Sequence, residues 1–397
     1  VANILKVMSL HRVSDIYGPL PVLHFGETEN PYNSQEECYM HFFETLDSAI
    51  AVLKDVVENK PDAKPLEEVD ALYHGNYSKW LKLANSVKLR LAMRICYVKP
   101  DLAKQYAMEA VRDGVMETAD DSALFQSWGS ITIINPLEKI WNGYSDTRMG
   151  ASMDSYLNGY NDPRLPVYFQ PVTEGDNKGE YRGVANGMPN PQQDDYKAMS
   201  APNVQEKSTD SPLRWMMASE VAFLRAEGAM RGWTAEMGGT AEEFYNKGIE
   251  LSFLENGLSA DAAARYAADE TSKPTDFTDV STANTKYNIS ALGKITIKWN
   301  AGASEEEQLE RIITIKWIAM FPNGTEAWSE FRRTGYPLIF PVRSNYPTSG
   351  VDTNKQIRRM VFPQSEYSNN GAAVQEAVKL LGGPDNGGTK LWWDKKN

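Results

Sequence analysis

Apolar residues recur along this chain mainly at helical spacing, in blocks separated by long stretches that keep no period. Residues 34–60 open with Ser34-x-x-Glu37, the pattern of a capping box, and Phe42, Phe43, Leu46, Ala49, Ile50 and Leu53 follow on one helical face. Residues 78–98, SKWLKLANSVKLRLAMRICYV, are apolar nearly all round, which predicts a helix buried on most sides. Pro100 stops it, and a shorter helix over 101–113 ends at Gly114. A long apolar helix is predicted from 212, with Pro212 in its first turn. After Gly238-Gly239, Thr240-x-x-Glu243 starts another helix that runs to about residue 256. Ser304-x-x-Glu307 opens a third block with Leu309, Ile312, Ile313, Lys316, Trp317 and Met320 on one stripe. Pro322-Asn323-Gly324 turns the chain, Thr325 is the expected cap of the next helix, and Gly335-Pro337 ends it. In that helix Glu326 falls at the positive end of the dipole, and Arg332 and Arg333 at the negative end.

Small residues at expected helix crossings (Ala226, Ala229, Gly248) alternate with bulky ones, as in tetratricopeptide-type helix pairs, though without a strict period. The predicted fold is therefore mostly α: irregular tetratricopeptide-like helix pairs at 34–113 and 212–256, and C-terminal helices with a closing segment over 305–397. Residues 114–211 and 269–304 are rich in Gly, Pro, Asn and Asp among aromatics and read as loop-rich excursions. Long loops in a folded domain are uncommon unless they form a binding surface, so the helices read as scaffold and the loops as ligand side.

Composition narrows the functions open to such a fold. Acidic residues outnumber basic ones 53 to 41, for a net charge of −12, which argues against a nucleic-acid partner. No apolar run is long enough to cross a bilayer, and no signal peptide is evident. The chain begins without Met inside what reads as a folded segment, VANILKVMSLHRVSDIYGPLPV, so an upstream stretch is expected. Cys38 and Cys96 have no CxxC spacing and are expected as two buried thiols.

Few residues carry a catalytic pattern. GGPDNGGTK (383–390) lacks the Lys-Ser/Thr order of a phosphate loop. The histidines (His11, His24, His41, His74) have no metal-ligand spacing, and there is no GxSxG elbow. Neither a metal nor a cofactor is expected. Asp120-Asp121, Asp194-Asp195 and Asp269-Glu270 leave a glycoside hydrolase open as an alternative, because that chemistry needs only two facing acids. Glu220 and Glu227, with Arg225 and Arg231, read as a structural ion-pair network. The positive signal is aromatic. Trp128, Trp141, Tyr144, Tyr156, Tyr160, Tyr181, Tyr196, Tyr287 and Trp299 lie in the aperiodic stretches beside Asn, Asp and Arg. Flat rings can cover the C–H face of a pyranose while amides and guanidiniums bind its hydroxyls, although Asn and Arg serve a peptide backbone equally well. The candidate ligand contacts are Trp128, Trp141, Tyr144, Arg148 and Trp299.

Several blocks in order, among them SDIYGPLPV, WLKLANSVKLRLAMRI, NPLEKIWNGYSDTRMGASMDSYLNGYNDPRLPVYF, EAWSEFRRTGYP, RRMVFPQSEYSNN and TKLWWDKKN, resemble the SusD/RagB family of outer-membrane nutrient-binding lipoproteins. The resemblance covers most of the chain and implies one SusD-like domain over 1–397, without the lipid-bearing N-terminal cysteine and first helices. It also implies a non-enzymatic protein, exposed at the outer-membrane surface on an N-terminal lipid anchor. Such a protein captures an oligosaccharide or oligopeptide and delivers it to a partner SusC-like TonB-dependent transporter. The family's recognisable blocks are structural, so no binding residue transfers by position. A helical-repeat scaffold without a small-molecule ligand is the other alternative.

Overall fold

A computed structural model describes residues 1–189, 191–203, 211–283 and 286–396. The end of the first expected excursion (204–210) and residues 284–285 of the second lie outside the described residues. Four helices open the chain: α1 Ala2–Tyr17, α2 Gln35–Asn59, α3 Tyr77–Arg94 and α4 Pro100–Arg112, each packed on the next. Ser34 and Glu37 close the predicted capping box of α2, and Pro100 starts α4 at a position that needs no amide donor. The first excursion contributes a three-residue strand, β1 (Ala123–Phe125), and helix α5 (Ala151–Gly159).

The helix expected from residue 212 begins later. Residues Leu213–Met216 form strand β2, antiparallel to β1 with Ala123 opposite Met216, and helix α6 runs over Ala218–Gly228. Pro212 precedes a strand whose partner lies some ninety positions upstream, and no local pattern announces that pairing. Beyond α6 a wider turn at 229–233 leads to Gly232, whose φ of 85° breaks the helix. Helices α7 (Ala241–Leu254) and α8 (Ala260–Ala267) follow, with the Thr240–Glu243 capping box formed as expected. The last third holds α9 (Glu305–Ala319), α10 (Gly324–Thr334) and α11 (Gln364–Leu381). Ser304 caps α9 through the Glu307 amide. Thr325 is not a cap: it lies inside α10, whose N-cap position is Asn323.

Helix α6 is the wall between two cores. Its Val221, Ala222 and Leu224 join the core of α1–α4, while Phe223 and Ala226 join a second core with α7, α8, α9 and the first excursion. Gly248 of α7 lets that helix close on α6, since a Cβ there would stand 2.7 Å from the Phe223 ring. At the far end of α5, Gly159 does the same for the second excursion: a Cβ would meet the backbone of 273–275 at 2.3–2.7 Å. The two excursions are thus pressed together by a position with no side chain, and the Thr275 amide donates to Ser155 O at 3.0 Å across the same seam.

The expected Glu/Arg network is present and larger than the four residues foreseen. Arg90 holds Glu220 through two bonds of 2.7 Å, and Arg94 pairs with Glu326 and, at 2.6 Å, with Glu330. Arg333 binds Glu227 at 2.6 and 2.7 Å and Glu330 at 2.7 and 3.0 Å, while Lys316 reaches Glu330 at 2.9 Å. Burial raises the Glu227 carboxyl, but the charges of Arg333 and Arg231 outweigh it and hold it at about 2. Arg225 lies outside this chain of charges and pairs with Glu117. Arg332 donates to Asp15 O and Arg358 O and lies over the Trp328 ring, 3.5 Å from its centroid. These arginines therefore bind α10 to α1, α3 and α6 rather than only capping a helix end.

Candidate functional site

The five candidate contacts fall in three places. Trp141, Tyr144 and Arg148 share the stretch between β1 and α5, where Asn135 caps a short helical turn and residues 139–143 form a wider one. Trp128 sits earlier on the same excursion. Its ring lies 3.6 Å from the His74 ring by centroid, and its Nε1 donates to Glu67 O. Trp299 belongs to the second excursion and is 8% exposed, packed on Tyr245 with centroids 5.3 Å apart. Of the wider aromatic group, Tyr156, Tyr160 and Tyr196 are buried as well.

Trp141 opens onto a cleft of about 630 Å³ that the fold assembles from segments remote in sequence. Asn135 and Trp141 come from the first excursion, Tyr168 from its later part, Arg214 and Trp215 from β2, Asn256 from the end of α7, and Phe321 from the turn before α10. The Trp141 and Phe321 rings are nearly parallel, with centroids 6.4 Å apart, and Trp215 is braced from behind by Phe125 at 4.7 Å. Arg12 of α1 and Arg214 bring cationic character, and no Asp or Glu is among the described lining residues. Each guanidinium is held by a backbone carbonyl, Arg12 by Trp215 O at 3.3 Å and Arg214 by Glu255 O at 3.2 Å, and neither has a carboxylate partner among the described residues. Burial, and then the neighbouring Arg90 charge, lower the Arg12 pKa, although Glu326 and Glu220 oppose this. Asn256 donates its Nδ2 to Ser252 O and to the Tyr168 hydroxyl, which leaves its buried Oδ1 without a donor among the described residues. Flat apolar faces beside cations and amides suit a ligand with apolar ring faces and many oxygens.

Arg148 does not reach that cleft. Its guanidinium donates to the carbonyls of Ser145, Thr147 and Lys197 and lines a neighbouring hollow of about 500 Å³ with Tyr196 and Met188. Tyr144 is 59% exposed at the crest of the same stretch. Trp141 was legible as a loop tryptophan beside Asn. Trp215 falls in the stretch whose sequence predicts a helix and Phe321 at the end of an apolar run, and nothing local marks them as its companions. Tyr336 hydrogen-bonds Glu306 at 2.7 Å with the Lys396 ammonium 4.5 Å from its ring centroid, beside a separate polar hollow.

The acid pairs are occupied by structural partners. Asp120 and Asp121 bind Lys79 and Lys82, Asp269 accepts amides of Thr271 and Ser272, and Glu270 binds Lys298. His11, Asp15 and Glu326 approach one another within 4.8 Å, but Arg94 already contacts both carboxylates, so the group lies within the buried charge network. Cys38 and Cys96 are free and buried.

A model of SusD and RagB outer-membrane lipoproteins matches residues 1–394, and the chain belongs to this SusD-like family. Its fold is that of solved relatives. A chitin-binding SusD homologue from Flavobacterium johnsoniae is 42% identical with a TM-score of 0.92, over 100% of this chain and 80% of its own. A SusD-like protein from Bacteroides thetaiotaomicron is 41% identical with a TM-score of 0.92, over 100% and 81%. A homologue from Bacteroides vulgatus is 36% identical with a TM-score of 0.93, over 100% and 78%. Among curated proteins no relative matches. The family is one of binding proteins rather than enzymes, which removes the hydrolase alternative. No helix among the described residues is long and apolar enough to cross a membrane.

Proposed function

We propose that this protein captures an oligosaccharide at the outer-membrane surface and passes it to a SusC-like TonB-dependent transporter, held at the membrane by an N-terminal lipid. The cleft of Trp141, Trp215 and Phe321, with Arg12, Arg214 and Asn256, carries the reading. It combines stacking faces with donors to hydroxyl or carbonyl oxygens. The chitin-binding character of the Flavobacterium relative supports a glycan over a peptide. Trp141 is the central contact, with Tyr144 and Arg148 placed to meet a ligand that extends past the cleft, and Trp128 and Trp299 act as supports.

Calorimetry with a panel of oligosaccharides and oligopeptides tests this. Trp141→Ala is expected to weaken glycan binding about tenfold while the thermal midpoint holds, because a lost stacking contact is worth roughly 0.5–1.5 kcal/mol beyond its buried area. Binding of peptides and of no glycan would overturn the sugar assignment. Recovery of a TonB-dependent barrel with the protein from native membranes would support delivery, and its absence would refute it.

A further inference from the structure

We propose a second glycan-contacting surface, distinct from the Trp141 cleft and selective for uncharged sugar chains. It is the groove between residues 187–189 and 191 on one side and the 342–360 strip on the other. The proposal rests on the glycan reading above. The groove encloses about 900 Å³, and its described lining contains no Asp, Glu, Lys or Arg, in a chain where such residues are 24% of the sequence. That absence sets it apart from the cationic cleft.

Its aromatic members are a fixed ring and an open one. Trp328 is locked from behind: its Nε1 donates to Ile357 O at 2.9 Å, and the Arg332 guanidinium covers its ring. Tyr346 is 84% exposed and makes no side-chain hydrogen bond or ring contact with the described residues. Ile357 and Met360, each nearly half exposed, continue the apolar surface. A tyrosine this open gains nothing for the fold, but it offers a face to a ligand.

The polar groups of the groove are uncharged and held in place by the backbone. Asn345 spends its Nδ2 on Val351 O at 2.6 Å, and Gln356 spends its Nε2 on Phe340 O at 3.0 Å. Both amides are thereby anchored to their own strip, and each keeps its carbonyl oxygen as an acceptor and a second N–H as a donor. The Ser349 hydroxyl accepts from the Val351 amide and retains its own proton. A matching ligand is apolar on its faces, both donates and accepts hydrogen bonds at its edges, and carries no charge, because no counter-ion among the described lining waits for it. A neutral pyranose chain with hydroxyl or acetamido N–H donors meets all three conditions. The groove shares Gly187, Met188 and Pro191 with the hollow of Arg148 and Tyr196, so one chain several sugars long can run from one into the other.

The experiment measures binding by the full chain of three hexasaccharides: chitohexaose, cellohexaose and the acidic hexagalacturonate. Tyr346→Ala and Met360→Glu are the variants, each checked by circular dichroism and thermal melting. At least one neutral hexamer is expected to bind, and to lose fivefold or more in affinity in both variants. Hexagalacturonate binding, where present, should change by less than twofold in Tyr346→Ala. Neutral binding unchanged in both variants overturns the groove and leaves the Trp141 cleft standing, especially if Trp141→Ala then abolishes it. Failure of every glycan to bind the parent protein overturns both readings. Unchanged glycan binding with loss of a co-purifying membrane protein in Tyr346→Ala would assign the surface to a protein partner and refute the proposal.

Discussion

Replacing Arg333 by methionine removes a fully buried guanidinium from between two buried carboxylates. Its four bonds to Glu227 and Glu330 span 2.6–3.0 Å, and all three side chains are 3% exposed or less. Glu227 would keep Arg231, and Glu330 would keep Lys316 and Arg94, so neither carboxylate would be wholly unpaired. Removing one partner of a buried pair costs about 3–5 kcal/mol, most of it the penalty for the charge left behind. Against a total stability of about 5–15 kcal/mol, the loss would be conspicuous. Urea unfolding followed by tryptophan fluorescence reads it as a lower midpoint at unchanged slope. The double variant Arg333→Met/Glu227→Met is the decisive comparison. With both charges gone, part of the loss should return, a coupling of about 2–3 kcal/mol, since Arg231 is 18% exposed and can rehydrate. A single-variant loss below about 1 kcal/mol, or a double variant no better than the single, would refute the claim that burial of unpaired charge sets the cost.

Three further outcomes follow from the packing and the charges. Gly248→Ala should cost about 1–3 kcal/mol in thermal or urea unfolding, because the added methyl meets the buried Phe223 ring. Trp299→Ala should lower stability by about 3–5 kcal/mol, as expected for a core tryptophan, with glycan affinity falling less than in Trp141→Ala; the reverse ranking would place Trp299 in the site. Glu227 and Glu326 sit at about 2 in the folded chain against 4.5 as the reference. Their ionised forms therefore stabilise the fold above about pH 4.5, and that contribution drains away as pH falls toward 2. Acid titration by circular dichroism should show unfolding concentrated below pH 4.5, and flat stability from there down to pH 2 would count against the network.

The helices were legible because their signals are local. Ser34–Glu37 and Thr240–Glu243 form as capping boxes, and the all-round apolar pattern of residues 78–98 matches α3, buried from Leu83 onward. Strand β2 was not legible, because Leu213–Met216 pairs with residues far upstream in a register no short window contains. The same reason hid half the cleft. Trp141 stood out within an aperiodic stretch, whereas Trp215 and Phe321 join it only when three remote segments converge. Arg332 and Arg333 carried a correct local account as helix-end cations. Their partners on α1 and α6 belong to tertiary structure, which dipole arguments do not reach.

The charge network also constrains the order in which the molecule can be completed. Arg94 of α3 finds its acids at Glu326 and Glu330, 232 and 236 positions later. A ribosome releases α1–α4 as a seemingly self-sufficient set of helices, yet among the described residues of that set only Asp15 offers a carboxylate to an α3 guanidinium; Arg90 waits for Glu220, and Arg94 for Glu326 and Glu330. Docked early, those helices would bury Arg90 without its acid and Arg94 with Asp15 alone, at a penalty of several kcal/mol, so the set stays open until α6 and α10 arrive. The first half thus waits for the end of the chain, and a fragment cut before Glu326 should remain loosely assembled and protease-sensitive however well its helices form.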